Sequence, residues 1–193
     1  MISTMPGQLE HEVRFRIDNS EEVIAKLLNR GVCFVDEYMQ IRAVFDVGAN
    51  KGTWLRLRKG KKTTLAIKQV TEQGTEESEV EVSSYEDMLQ ILANLGFTPK
   101  AEHQNYRREY VFNHSSLADP VNITVDTWPE IGHVLEVEGA DSEQVVLAIS
   151  LLGLGSLQPA SAIWDIYEED GRPSILDRDL SFSDDEVEDW RYS

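Results

Sequence analysis

The sequence predicts an α+β domain: an eight-stranded antiparallel β-barrel, open as a tunnel, with helices packed on its outside. Three observations predict it. Several segments of period two carry charged residues on one face and apolar residues on the other. Three capped amphipathic helices lie between them and need an apolar surface to cover. The charged faces also sort by sign from strand to strand, where a merely wet face would mix Ser, Thr, Gln and Lys.

The elements follow in order. In Leu9–Ile17, Glu10, Glu12, Arg14 and Arg16 share one face and Leu9, Val13, Phe15 and Ile17 the other, with His11 the exception. A helix follows Asn19, with Glu22 at the capping-box position, an apolar side of Val23, Ile24, Leu27 and Leu28, and Gly31 to stop it. In Trp54–Arg58 the arginines Arg56 and Arg58 oppose Leu55 and Leu57. A hairpin turn carrying Lys59, Lys61 and Lys62, read as solubility charges, leads to Leu65 and Ile67, which face away from Lys68. Glu79 and Glu81 alternate with Ser78, Val80 and Val82. The second helix follows Ser84, with Met88, Leu89, Ile91, Leu92 and Leu95 on its apolar side and Gly96 at its end. Arg108 shares the parity of Tyr106 and Tyr110 and is read as inward, which turns Arg107 outward. Thr124 and Asp126 oppose Ile123 and Val125, and Glu136 and Glu138 oppose Leu135 and Val137. The third helix follows Asp141, with Gln144 at the box position, Val145, Val146, Ile149 and Leu152, and Gly153 behind.

A one-layer antiparallel sheet with a solvated charged face would account for any one of these strands. It accounts less well for the set. If the helices cover the apolar faces from outside, the charged faces turn toward one another, and about eight strands can close around side chains and one small ligand.

Length and charge bound the function. At 193 residues and 21.9 kDa the chain is expected to be one domain: an N-terminal extension at 1–8, the barrel at 9–180 and an acidic tail at 181–193. Eighteen Lys and Arg against 35 Asp and Glu give a net charge of −17, which argues against a nucleic-acid or membrane partner reached by global attraction. The basic stretch Lys51–Lys68 has too few interleaved aromatics for a nucleic-acid platform. No apolar run approaches a membrane span, no signal-peptide pattern opens the chain, and the single cysteine, Cys33, leaves no internal disulfide, so a cytoplasmic setting is expected. The four histidines share no metal-binding spacing. A homodimer is left open.

The predicted interior gathers seven acids (Glu10, Glu12, Glu79, Glu81, Asp126, Glu136, Glu138) and five bases (Arg14, Arg56, Arg58, Lys68, Arg108). Twelve enclosed charges need partners, because an isolated buried charge costs many kcal/mol. Clustered carboxylates suit a hard divalent cation, Mg²⁺ or Mn²⁺. Arginine forks and a lysine point charge suit a phosphate chain. A triphosphate with its metals carries both signs.

Here the residues carry a resemblance. Glu10-His11-Glu12-Val13-Arg14 resembles the ExExK signature of the CYTH family, the triphosphate tunnel metalloenzymes, which includes class IV adenylate cyclases, thiamine triphosphatases and inorganic triphosphatases. The match continues in order through Leu55-Arg56-Leu57-Arg58, Leu65-Ala66-Ile67-Lys68, Glu79-Val80-Glu81, Arg107-Arg108, Val125-Asp126 and Leu135-Glu136-Val137-Glu138. The resemblance implies an eight-stranded tunnel in which Glu10, Glu12, Asp126, Glu136 and Glu138 bind divalent metal, with Glu79 and Glu81 as further candidates. It implies that Arg14, Arg56, Arg58, Lys68 and Arg108 hold the phosphates of a triphosphate.

Three departures bear on chemistry and substrate, one of them Val44 before Phe45-Asp46 where many members have a tyrosine. The family's first-motif lysine is Arg14, which keeps a phosphate contact but cannot act as a general base, so Lys68 becomes the catalytic candidate, with an acid or a metal-bound water as alternative bases. The Lys-x-Arg of the later strand stands as Tyr106-Arg107-Arg108. The function expected first is metal-dependent hydrolysis of a triphosphate: inorganic triphosphate, with nucleoside or thiamine triphosphate as alternatives. The second is class IV adenylate cyclase activity, giving cyclic AMP and pyrophosphate from ATP. The N-terminal His-Phe pair associated with the cyclases is missing from Ser3-Thr4-Met5-Pro6-Gly7, which favours hydrolysis. The third is a module that binds polyphosphate or nucleotide without turnover.

Overall fold

The computed structural model describes residues 7–47 and 52–183. Its elements are β1 (Gln8–Leu9), β2 (His11–Ile17), α1 (Ser20–Leu28), β3 (Val32–Asp46), β4 (Thr53–Lys59), β5 (Thr63–Thr71), β6 (Gly74–Glu81), α2 (Tyr85–Asn94), β7 (Ala101–Phe112), β8 (Val121–Trp128), β9 (Gly132–Gly139), α3 (Ser142–Leu151) and α4 (Ile163–Glu169). The strand order is β1-β6-β5-β4-β3-β7-β8-β9-β2. Among the described residues there are nine strands where eight were expected, because the run from Leu9 to Ile17 divides at Glu10: β1 pairs with β6, and β2 pairs with β9.

The three helix starts fall on their caps. Asn19, Ser84 and Asp141 each accept a hydrogen bond from the backbone N–H three residues on, at Glu22, Asp87 and Gln144. Gly96, just past α2, has φ +91°, a left-handed conformation that glycine adopts without a Cβ penalty. Two elements lacked a readable signal. Helix α4 begins after Ala162 with no side-chain cap. The fifteen-residue β3 leaves Phe34 and Val35 both exposed, so its first half shows no alternation of period two.

The chain divides into two compact units. One comprises Met1–Glu10, Gln40–Gln104 and Ile175–Leu180; the other comprises His11–Met39, Asn105–Ser174 and Ser181–Ser193. In the first, Ala43, Phe45 and Leu57 pack against Tyr85 and Leu92 of α2. The opposite sheet face carries cross-strand rows set by the register: Trp54–Lys68–Glu77, Arg56–Ala66–Glu79 and Arg58–Thr64–Glu81. The segment Ile175–Leu180 lies along the start of β7, with Gln104 N–H donating to the Leu180 carbonyl and Leu180 N–H to the Glu102 carbonyl. His103 is buried there, its Nε2 2.8 Å from the Ile175 carbonyl oxygen.

In the second unit, Phe15, Ile17, Ile123, Val125, Leu135 and Val137 pack under Ile24 and Leu27 of α1 and Val145 and Ala148 of α3. The other face reads Glu12–Glu138–Asn122–Val111, Arg14–Glu136–Thr124–Glu109 and Arg16–Val134–Asp126–Arg107 across β2, β9, β8 and β7. His11, the polar exception on the apolar parity, meets Ser142 at the start of α3, Nδ1 to Oγ 3.0 Å. Of the expected extension and acidic tail, residues 1–6 and 184–193 lie outside the described residues, as does Lys51. Among the described residues no helix is long and apolar enough to cross a membrane.

Candidate active site

In the first unit the register brings Glu10, Arg56, Arg58, Lys68 and Glu79 onto one sheet face. Strand alternation does this: the apolar partners Leu55, Leu57 and Leu65 take the α2 side, so the charged residues take the other. Lys68, with its side chain 10% exposed, donates to Glu10 Oε1 at 2.6 Å and lies 3.4 Å from Glu77 Oε2. Arg56 Nη2 donates to Glu77 Oε1 at 2.6 Å and to Glu79 Oε2 at 3.3 Å. Arg58 Nη2 and Thr64 Oγ1 both donate to Glu79 Oε2, each at 3.0 Å. Glu81 is set apart: it is exposed and pairs with Lys62 at 2.6 Å.

Burial pushes the Glu77 carboxyl above its ordinary value, and its hydrogen bond with Glu10 adds to the rise. Burial also works to raise Glu10, but the hydrogen bond with Glu77 and the Lys68 and Arg56 charges together leave it lowered. The two carboxyls thus titrate as a pair.

In the second unit Arg14 bridges two strands, hydrogen-bonding Glu12 on its own strand and donating from Nε to Glu136 Oε2 at 2.9 Å. Glu138 is exposed, one cross-strand row from Glu136 and directly opposite Glu12. Asp126 is 5% exposed, and both its oxygens accept from Arg107: Nε at 2.8 Å and Nη2 at 2.6 Å. Burial acts against the charge on Arg107, but Asp126 outweighs it and the guanidinium pKa is raised. Tyr38 donates its hydroxyl to Glu109 on the same face.

One expectation is corrected. The sequence reading turned Arg108 inward and Arg107 outward, and the structure has them reversed. In the β7–β8 register Arg107 stands opposite Asp126 and Arg108 opposite Val125, so Arg108 takes the apolar side. There it hydrogen-bonds Glu21 and donates to Ser20 Oγ at 2.9 Å, at the first turn of α1. Tyr110, buried in the apolar core, marks that parity as the core side. Two acids went unnoticed: Glu77, which continues the parity of Glu79 and Glu81, and Glu109, hidden by the parity error on β7.

The fit of a divalent cation can be tested on the donor set. Glu12, Glu136 and Glu138 on the paired strands β2 and β9 offer carboxylate oxygen alone, the hard donor that Mg²⁺ and Mn²⁺ take. Among the described residues no three His, Cys, Asp or Glu side chains converge as a ready-made metal group. Arg14 supplies the balancing positive charge by holding Glu12 and Glu136. The chemistry fits, with Arg14 as the group that must yield.

Comparison with known proteins bears on the fold. The family model of the CYTH domain matches residues 8–148. No curated protein matches. Among solved structures, a protein of Vibrio parahaemolyticus described as a candidate adenylate cyclase is similar with TM-score 0.66 at 15% identity, covering 84% of this chain and 99% of its own. A candidate adenylyl cyclase of Hippeastrum, described as having a dominant triphosphatase activity, is similar with TM-score 0.59 at 16% identity over 87% of this chain and 99% of its own. A protein of Pyrococcus horikoshii gives TM-score 0.61 at 21% identity over 79% and 96%. At such identities the likeness concerns fold: an antiparallel β-barrel with helices on its outside, built here from nine strands. The match of the family model from residue 8 to residue 148, most of the chain, places it in the CYTH domain family.

Proposed function

We propose that the chain is a metal-dependent triphosphatase that hydrolyses inorganic triphosphate first, with nucleoside or thiamine triphosphate as further substrates, in a cytoplasmic setting. The observation that carries the reading is the Arg56–Glu77–Lys68 group with Glu10, Glu79 and Arg58 around it: arginine and lysine donors already aimed at anionic oxygens on one half-buried face. Arg56, Arg58 and Lys68 bind phosphate oxygens as guanidinium forks and a point charge. Glu12, Glu136 and Glu138 would hold Mg²⁺ or Mn²⁺, which would supply charge neutralisation for the phosphate chain. Asp126 is gripped on both oxygens by Arg107, and the pair acts in positioning rather than as a metal ligand. Lys68 likewise is engaged by Glu10 and serves as a binding charge rather than the base. A positioned water attacks the terminal phosphorus, its proton passes to a carboxylate of the charged face, and pyrophosphate leaves.

Adenylate cyclisation is the second reading, favoured by the description attached to the Vibrio parahaemolyticus neighbour. It needs the same cradle, with the ribose 3′-hydroxyl attacking the α-phosphorus. Turnover of inorganic triphosphate and ATP, scored side by side for phosphate and cyclic AMP with Lys68→Ala and Glu136→Ala as controls, separates these outcomes. Phosphate without cyclic AMP, lost in both variants, is the expected result. Cyclic AMP with pyrophosphate would establish the cyclase. Tight triphosphate binding without either product would leave a binding module.

A further inference from the structure

Glu77 occupies an unusual place among the charges of the first unit. Its two oxygens address two different cations: Oε1 accepts from Arg56 Nη2 at 2.6 Å, and Oε2 lies 3.4 Å from Lys68 Nζ. Its side chain is 17% exposed, and those of Arg56 and Lys68 are 12% and 10% exposed, so none of the three is well screened by water. A phosphoryl group presents the same pattern, two anionic oxygens on one centre spanning an arginine and a lysine. Arg56 also keeps a buried Nε–H without a hydrogen-bond partner among the described residues. That leaves one arm of its fork unspent while Glu77 engages the other.

The pairing of charges sharpens the point. Glu10, Glu77 and Glu79 engage Arg56, Arg58 and Lys68, and Arg42 stands opposite Arg58 on the same face. A triphosphate entering this group meets Arg56 and Lys68 already engaged by a carboxylate in the place where its own oxygens would bind. At a separation of a few Å in a partly buried site, two like charges repel. Glu77 must therefore withdraw, or its charge must be offset, before Arg56 and Lys68 can hold phosphate.

We propose that Glu77 is an internal stand-in for a phosphoryl group, bridging Arg56 and Lys68, and that it is the specificity-determining residue that makes triphosphate binding depend on a divalent cation. The proposal rests on the triphosphatase reading above. It assigns Glu77 a role opposite to a ligand's: the carboxylate weakens binding of the naked anion and leaves the metal-bound form, whose charge is reduced, as the species accepted. Glu77 is also fixed in place from behind, since a Cβ on Gly7 would come within 2.9 Å of the Glu77 carbonyl oxygen. The backbone of the stand-in is clasped closely, so adjustment falls to its side chain.

The test is calorimetric binding of inorganic triphosphate to the full chain, with Mg²⁺ and in excess chelator. It compares the wild type with Glu77→Gln, Glu77→Asp and, as an exposed control, Glu72→Gln. The expected result is that Glu77→Gln tightens metal-free binding on the order of tenfold, because it keeps the shape and removes the charge. Glu77→Asp and Glu72→Gln should keep the wild-type gap between the two conditions, which also shows that the site tolerates substitution. Metal-free affinity of Glu77→Gln within twofold of the wild type, or weaker, while the wild type binds with Mg²⁺, overturns the stand-in and leaves the triphosphatase reading intact. No binding by the wild type in either condition overturns both.

Discussion

Arg107 holds Asp126 with two arms of its guanidinium, Nε and Nη2 each donating to a different carboxylate oxygen across the β7–β8 pair. A buried pair of this kind contributes little over an apolar replacement, but removing one partner strands the other. Arg107→Ala should therefore destabilise the chain by about 3 kcal/mol. Arg108→Ala, which removes only the contacts to Ser20 and Glu21, should lower the melting temperature while leaving kcat/KM for inorganic triphosphate within about twofold. Melting curves and steady-state rates for the two variants check the reversal directly: equal loss of kcat/KM in both would return Arg108 to the charged face.

Carboxylate chemistry makes the second prediction. If Glu12 and Glu136 hold a divalent cation, chelator should abolish turnover, and added Mg²⁺ or Mn²⁺ should restore it. Glu136→Gln should raise the metal concentration giving half-maximal rate by at least about tenfold, as loss of one charged ligand does. A variant with an unchanged metal titration and a reduced kcat would move Glu136 from metal binding to Arg14 positioning.

His103 gives a pH prediction with a definite sign. Burial, with a smaller effect from Arg42, holds its imidazole below the ordinary value of 6.5, against the opposing pull of the Ile175 and Arg178 carbonyls and Asp179. Between that lowered value and 6.5 the unfolded chain binds the proton more readily than the native one, so stability rises with pH through this window. The contribution is complete above 6.5 and is lost as pH falls. His133, lowered chiefly by its own burial, adds to the same slope. Urea midpoints from pH 5 to 8 should fall less steeply with acid in His103→Gln than in the wild type, and a parallel profile would refute the assignment.

The helix caps give the simplest numbers. Asn19→Ala and Ser84→Ala each remove one side-chain acceptor from a helix N-terminus and should cost about 1 kcal/mol. Both caps lie at the edge of a packed helix, so Glu22→Ala, whose exposed side chain pairs with Lys26, should cost much less than either. Chemical denaturation of the three variants distinguishes the backbone cap from the surface ion pair.

The amino-acid sequence by itself determined what depends on local periodicity and local hydrogen bonding. The caps at Asn19, Ser84 and Asp141, the alternation in β2, β4, β8 and β9, and the gathering of Glu12, Arg14 and Glu136 on one face follow from 3.6- and 2-residue repeats, which any reader of the chain can count. Tertiary structure decided what depends on the partner. Whether Arg107 or Arg108 faces the charged side turns on which parity of β7 meets the core. In Tyr106-Arg107-Arg108-Glu109-Tyr110 both parities carry charge, so Asp126 opposite Arg107 and the burial of Tyr110 break the tie. The division at Glu10 is of the same kind, since nothing within Leu9–Ile17 says that its first residues pair with β6 and the rest with β9. Glu77 shows the same limit from another side. Its parity was legible, but its meaning comes from two cations brought to its two oxygens by β4 and β5, a relationship between strands that no single strand encodes.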